Sequence, residues 1–222
     1  MPKPPKKSDL DKSWMPTRRD RKIPIAPEYH LIVTEGTKTE PNYFKGLIAE
    51  IDKKYPPGRI KIEGLGRNTL SLLEYAERLV KNKYNLLEIK HIWLVYDKDD
   101  FPADNFDNTF HKCADISKNS DRKYHALWSN ECIELWFLLH FEYLQAALSR
   151  DDYYPKLTVH LQGCGKYEKN RDDIYNILKP RMSEAVRNAK KLNESYGSAP
   201  PSKCSPGTKV HEIFEYLGSY LK

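Results

Sequence analysis

Short apolar runs alternate with longer amphipathic stretches from His30 onward, and this alternation restricts the fold more than any other feature of the sequence. Four runs have the length and the β-branched or aromatic content of buried strands, namely HLIVT (30–34), RIKIEGL (59–65), HIWLVY (91–96) and KYHALWS (123–129). Apolar residues recur at helical spacing between them, in segments 41–51, 68–83 and 103–118. Strands that alternate with helices form βαβ units, whose parallel strands are covered by helices on both faces. The sequence therefore predicts an α/β fold with a central, mostly parallel sheet flanked by helices.

The two ends of the chain differ from this central part. Residues 1–27 are rich in proline and charge and show little apolar periodicity, which predicts a disordered basic arm. The α/β core is expected over residues 28–143. Beyond it the strand signals fade, and helical stripes at about 171–195 and 208–221 carry basic residues. Residues 144–222 are therefore predicted to form a helical basic extension packed on the core.

The net charge of +6 is distributed unevenly along the chain. Residues 1–27 carry eight Lys or Arg against three Asp, and residues 156–222 carry 12 basic against seven acidic residues. The part between them is acidic, with 17 basic against 21 acidic residues. Because lysine and arginine displace the counterions condensed on phosphates, nucleic acid is an expected partner of the two basic flanks. A generic solubilising tail is the alternative for the N-terminal block.

The sequence carries no signal for a membrane or for an oxidising compartment. No stretch approaches the roughly 20 apolar residues of a membrane-spanning helix, and the N-terminus lacks the apolar core of a secretory signal. We therefore expect a cytoplasmic protein with no membrane partner. The four cysteines are scattered, at Cys113, Cys132, Cys164 and Cys204. Their spacing predicts neither a zinc site nor a disulfide framework, and reduced thiols are expected.

Acidic side chains directly follow two of the predicted strands. Glu35 and Gly36 come after the first strand, and Asp97 and Asp99 come after the third. Loops and helix N-termini converge at the carboxyl ends of the strands in an open parallel sheet, and ligands gather there. Asp97 and Asp99 can point to the same side, and Mg²⁺ prefers such hard oxygen ligands. The sequence thus predicts a cation site of Glu35, Asp97 and Asp99, with a solvated turn as the alternative for either segment taken alone.

Gly36 and Lys38 follow Glu35 and bear on substrate binding. A residue without a Cβ lets the chain turn sharply and lets a substrate approach the backbone. Lys38 either meets a phosphate or faces water. Gly36 and Lys38 are the predicted substrate-binding residues.

The segment SNECIELWFLLHF (129–141) predicts a short buried helix that carries a second carboxylate pair. Glu131 and Glu134 are three residues apart and hence neighbours on a helix surface. An acidic side chain among apolar residues is unfavourable unless it is paired or binds a metal. Glu134, which is flanked by Ile133 and Leu135, is the better candidate for a further metal ligand. Its alternative is a pair with Lys or Arg from the basic extension.

Four segments stand in order between residue 33 and residue 217, namely VTEGTKTEPNYF, VYDKDD, SNECIELWFLLHFE and GTKVHEIFEYL. Together they resemble the RloB-like family of bacterial defence loci. The first two also resemble the Toprim domain of topoisomerases, primases and overcoming-lysogenization-defect nucleases, in which one strand ends in Glu-Gly and a later one in Asp-x-Asp. This resemblance implies a Toprim-like Rossmannoid fold and phosphodiester chemistry that depends on Mg²⁺ or Mn²⁺.

The resemblance also implies roles for individual residues. Toprim nucleases use the glutamate as general acid or base or as a metal ligand, and the two aspartates as metal ligands, which implies these roles for Glu35, Asp97 and Asp99. The overcoming-lysogenization-defect nucleases place a lysine near the metal. Lys166, in the Gly-flanked stretch QGCGKYEKN, is the candidate for that catalytic lysine, and an ordinary surface lysine is the alternative.

The expected function is therefore a Mg²⁺-dependent nuclease that acts as an effector of anti-phage defence with an RloA-like ATPase partner. The alternative is a non-catalytic sensor module that binds metal or nucleotide in the same pocket and docks on the ATPase. A topoisomerase or primase is disfavoured, because the chain is short and has no evident tyrosine motif or zinc ribbon. DNA or RNA, including tRNA, and a monomer or a homo-oligomer all fit the sequence.

Overall fold

The computed structural model describes residues 25–66, 70–99 and 102–221. The predicted basic arm therefore lies outside the described residues except for its last three, and so do Asn68, where a helix was expected to begin, and Asp100.

A five-stranded sheet forms the centre of the molecule. The strands are β1 (Tyr29–Thr34), β2 (Ile60–Gly64), β3 (Ile89–Asp97), β4 (Lys123–Asn130) and β5 (Gly207–Thr208). Their spatial order is β2-β1-β3-β4-β5, with the first four parallel and β5 antiparallel to β4. The predicted α/β class with a central, mostly parallel sheet is confirmed, and the arrangement is that of a Rossmann-like fold.

Eight α-helices accompany the sheet in the described residues. They are α1 (Thr39–Asp52), α2 (Leu70–Arg78), α3 (Ala103–Lys118), α4 (Glu134–Leu138), α5 (Arg150–His160), α6 (Ile174–Leu178), α7 (Met182–Tyr196) and α8 (His211–Leu221). Because side chains alternate along a strand, Ile32 and Trp93 face one side of the sheet, whereas Leu31 and Leu94 face the other. The first side is covered by α1 and by α4 to α8, and the second by α2 and α3. The sheet is therefore buried on both faces, as its apolar strands predict.

The C-terminal part differs from the prediction at three points. Helix α5 has no single apolar stripe and contains Pro155, so no helical period marks it in the sequence. Strand β5 was also not predicted, because two residues are too short to show the alternation of a strand. The predicted helix at 171–195 is instead α6, a 3-10 turn at Lys179–Arg181 and α7. The described residues contain no helix with the length and apolar character needed to cross a membrane.

Gly46 lets α1 and α6 approach closely, and its replacement gives a stability prediction. A Cβ at position 46 would lie 2.5 Å from Tyr175 Cβ on α6. We therefore expect Gly46→Ala to lower the free energy of unfolding by about 1–3 kcal/mol, as overpacked cores do. In Gly218→Ala, the matched change on α8, the new Cβ meets no described atom within 4 Å, so we expect a gain of about 0.5–1 kcal/mol. Urea unfolding measures both, and equal effects of the two variants would contradict the prediction.

Candidate functional site

The strand order brings the two predicted acidic segments together. The chain leaves β1 for β2 on one side and later returns to β3 on the other, so β1 and β3 are neighbours at the switch point of the sheet. In open α/β sheets this crevice at the carboxyl ends of the strands is where ligands bind. Glu35 donates its backbone N–H to the Val95 carbonyl oxygen at 2.9 Å, and its Oε2 accepts the backbone N–H of Asp97 at 3.3 Å. The Glu35 carboxylate thus lies over the end of β3.

A cleft of about 520 Å³ opens at this point. Its acidic lining consists of Glu35, Glu40, Asp97, Asp99 and Glu134. Its basic lining consists of Lys38, Arg150 and Lys169. The cleft therefore combines carboxylates, which suit a cation, with cationic side chains, which suit an anion such as a phosphate.

Arg150 connects the two predicted metal-binding aspartates. Its Nη2 lies 3.4 Å from Asp97 Oδ2 and also forms an ion pair with Asp99 Oδ1. Asp99 has a φ of +39°, a left-handed conformation that Asp tolerates better than most residues. Its backbone N–H donates to the Glu131 carbonyl oxygen at 3.1 Å. The structure thus brings Asp97 and Asp99 together, as predicted, and adds an arginine that was not.

Glu40 is a site residue that the sequence analysis missed. It lies in the first turn of α1, and only 7% of its surface is exposed. Its carboxylate accepts hydrogen bonds from the backbone N–H groups of Gly36 and of Glu40 itself. Because a Cβ at Gly36 would overlap Glu40 Oε2, the glycine makes room for a carboxylate of the chain itself. The signal was present within TEPNYF, but acidic residues are common in the first turn of any helix.

Glu134 begins α4 and is buried in the wall of the cleft. Its Oε1 accepts a hydrogen bond at 2.9 Å from the hydroxyl of Tyr167, which belongs to the C-terminal part of the chain. The partner in this contact is thus a tyrosine rather than the Lys or Arg that the sequence analysis considered. The Glu134 side chain lines the cleft from the start of α4, whereas Glu131 is not among the lining residues.

The carboxylates in the cleft disfavour one another's charge. Burial raises the pKa of Asp97 well above its usual range, and the nearby Glu40, Glu134 and Asp99 carboxylates raise it further. Burial also raises the pKa of Glu40, with Glu134 adding to the effect. The pKa of Asp99 is raised by burial, although Arg150 opposes this. A cation among these groups would relieve their repulsion.

The two predicted lysines have different positions. Lys38 is exposed and lines the cleft, as Gly36 does. Lys166 is exposed and is not among the lining residues, whereas Lys169 of the same loop is. This loop is attached to the start of α1, where Thr39 Oγ1 donates to the Lys169 carbonyl oxygen at 2.7 Å. The attachment places Lys169, rather than Lys166, at the carboxylates.

The donor chemistry of the cleft fits a hard divalent cation, because its acidic lining supplies oxygen ligands alone. Residues 25–66, 70–99 and 102–221 contain no group of three or more His, Cys, Asp or Glu side chains already assembled around one point. A single nitrogen of Arg150 instead bridges Asp97 and Asp99. The closely spaced carboxylates thus fit Mg²⁺ or Mn²⁺ by their oxygen ligands and their mutual repulsion. In this structure the guanidinium of Arg150 supplies the positive charge between Asp97 and Asp99.

The fold and the site together define an α/β protein with an acidic cleft at the switch point of a mostly parallel sheet. The family model described as RloB-like protein matches residues 30–217, which is most of the chain. The chain belongs to this family, and the resemblance found in the sequence is confirmed. No curated protein and no solved structure matches the chain.

Proposed function

We propose that this protein is a nuclease that uses Mg²⁺ or Mn²⁺ to hydrolyse phosphodiester bonds in nucleic acid. The observation that carries the proposal is the convergence of five carboxylates with two lysines and an arginine in one cleft at the switch point. A phosphodiester brings negative charge to such a site and gains more in its transition state. The cleft has acidic groups that can hold a metal and cationic groups that can hold a phosphate.

The acidic residues would divide the chemical roles among them. Asp97 and Asp99 would hold the ion, with Glu35 and Glu134 as further ligands. When bound, the ion polarises the phosphate and makes water a better nucleophile. Glu35 is only half-buried, so its carboxylate can also take a proton from a water that enters the cleft. Glu40 is more deeply placed and would fix the Gly36 turn beside Glu35.

The cationic residues would position the substrate. Lys38 and Lys169 line the same cleft, and the ammonium group of each would contact a phosphate oxygen of the substrate. The loop that carries Lys169 is held by Asn42 Nδ2, which donates to the Asn170 carbonyl oxygen at 3.0 Å. We assign to Lys169 the catalytic-lysine role that the Toprim resemblance suggested for Lys166. Its ammonium would offset negative charge on the reacting phosphate.

Membership of the RloB-like family is the basis of a proposed biological role. We propose that the nuclease is the effector of an anti-phage system and acts with an RloA-like ATPase. The support for this is membership of the RloB-like family alone. The ATPase would release or direct the activity of the cleft.

The test is an assay of the purified protein on tRNA, single-stranded RNA and plasmid DNA, alone and with its ATPase. We expect cleavage of at least one substrate with Mg²⁺ or Mn²⁺ and none with EDTA. Absence of cleavage in every combination would contradict the nuclease proposal. Metal binding without turnover in the same samples would instead identify the non-catalytic sensor module.

A further inference from the structure

Arg150 lies at the N-terminus of α5, where a positive charge is unfavourable unless nearby carboxylates offset it. It is the first residue of α5, whose start is fixed by Ser149, since Ser149 Oγ donates to Asp152 Oδ2 at 2.7 Å. A cation at a helix N-terminus opposes the helix dipole, so the local structure gives no reason for an arginine there. Its charge is offset by the contacts from Nη2 to Asp97 and Asp99, and the side chain also contacts the buried Cys132.

The guanidinium is also incompletely satisfied in this position. Nε is buried and has no hydrogen-bond partner among the described residues, and a single Nη2 serves both carboxylates. A guanidinium that binds one carboxylate well usually does so with two parallel N–H groups. The side chain is therefore held by charge more than by geometry, and 35% of it is exposed.

A divalent ion held by Asp97 and Asp99 would compete with Arg150 for the same two carboxylates. Asp97 Oδ2 and Asp99 Oδ1 contact the guanidinium, and the same two carboxylates are the proposed metal ligands. Two positive charges a few ångströms apart in a partly buried site repel each other strongly. An ion held by both aspartates would therefore disfavour the present position of Arg150.

We infer that Arg150 competes with the metal ion for Asp97 and Asp99 and, once displaced, binds a phosphate group of the substrate, so that metal and phosphate bind cooperatively. This inference rests on the proposed function, since it concerns the same metal and phosphate sites. The displaced guanidinium is already in the cleft, on a side chain long enough to turn, and its planar N–H groups match phosphate oxygens. Cooperativity follows because a phosphate that holds Arg150 away from the aspartates favours the ion, and the ion favours the phosphate equally.

Metal affinity is the first readout, and it needs no catalysis. Titration calorimetry with Mn²⁺ in phosphate-free buffer is compared for the wild type, Arg150→Gln and Lys169→Gln. We expect Arg150→Gln to bind Mn²⁺ on the order of tenfold more tightly than the wild type, because the competing charge is gone. Lys169→Gln removes one positive charge from the same cleft without removing a contact to either aspartate. An equal gain in both variants would show a general field effect and overturn the inference.

Cooperativity is the second readout. A short phosphorothioate-linked dinucleotide supplies the phosphate group, and Mn²⁺ is titrated with and without it. We expect the dinucleotide to raise the Mn²⁺ affinity of the wild type and to leave that of Arg150→Gln unchanged. Should Arg150→Gln fail to fold, Arg150→Lys carries both comparisons, with smaller changes in the same directions. If the dinucleotide leaves the Mn²⁺ affinity of the wild type unchanged, the inference is overturned.

The outcomes separate this inference from the proposed function. If the wild type binds Mn²⁺ and cleaves nucleic acid but Arg150→Gln binds Mn²⁺ no more tightly, the inference alone fails. If the affinity rises as expected but no substrate is cleaved, the competition stands and the nuclease proposal fails. If no protein binds Mn²⁺, both fail.

Discussion

Asp97→Asn is expected to slow nucleic-acid cleavage about a thousandfold without destabilising the protein. The amide keeps the shape of the side chain but removes the charge that would hold the ion, and loss of roughly 4 kcal/mol of transition-state stabilisation lowers the rate about a thousandfold. The free energy of unfolding in EDTA is expected to stay the same or to rise, because burial and the Glu40 carboxylate disfavour the charged form of Asp97. Cleavage rates under single-turnover conditions and urea unfolding measure the two effects.

The control for this variant is Asp115→Asn on α3. Asp115 is exposed and pairs with Lys118 at 3.2 Å, away from the cleft lining. It should cleave at the wild-type rate. Full activity of Asp97→Asn, or of Glu35→Ala combined with Asp97→Ala, would remove the acidic cleft from the mechanism.

Acidification is expected to unfold the protein well above the pH at which ordinary carboxylates titrate. Burial lowers the pKa of His30 to about 3 and the pKa values of His140 and His211 to about 4. In the unfolded chain these imidazoles bind protons near pH 6.5. Between pH 6.5 and about 4 the unfolded state therefore binds more protons than the folded state, and the free energy of unfolding decreases as the pH is lowered. From pH 7.5 to 5 we expect each histidine to lower the free energy of unfolding by about 2 kcal/mol.

The cleft carboxylates change the free energy of unfolding in the opposite direction, so the test compares two proteins in which their contribution is the same. Their folded pKa values are raised, so protonation on acidification relieves their repulsion and favours the folded state. The informative quantity is therefore the difference in pH dependence between the wild type and His140→Gln, each unfolded by urea at pH 7.5 and pH 5. We expect the variant to lose about 2 kcal/mol less stability over this interval. An identical loss in both proteins would show that His140 is not kept neutral by the fold.

The site residues that could be predicted from the sequence lie at the ends of clear apolar runs. β1 and β3 are apolar runs, and Glu35 and Asp97 stand where those runs stop. Because parallel strands end at a common edge, the two positions could be placed near each other from the sequence. The strand order of the sheet, which the sequence does not state, shows that β1 and β3 are neighbours at the switch point.

The residues that were missed depend on contacts between distant parts of the chain. Arg150 reaches Asp97 from 53 positions away, and Lys169 reaches the cleft because its loop is bound to Thr39, 130 positions earlier. Helix α5, which carries Arg150, has no apolar stripe that marks it as a helix. Spacing along the chain contains no information about such contacts, since an exposed basic residue and one that points into a cleft look alike.

The sequence by itself determined the α/β class, the family and the acidic strand ends at Glu35, Asp97 and Asp99. It could do so because hydrophobic periodicity and short motifs are local properties of the chain. Only the tertiary structure decided that Glu40 and Glu134 share the cleft, that Lys169 rather than Lys166 lines it, and that Arg150 bridges the aspartates. The physical reason is that burial and charge pairing depend on which side chains the packed helices bring together, and the C-terminal part reaches the cleft through its packing on the rest of the fold.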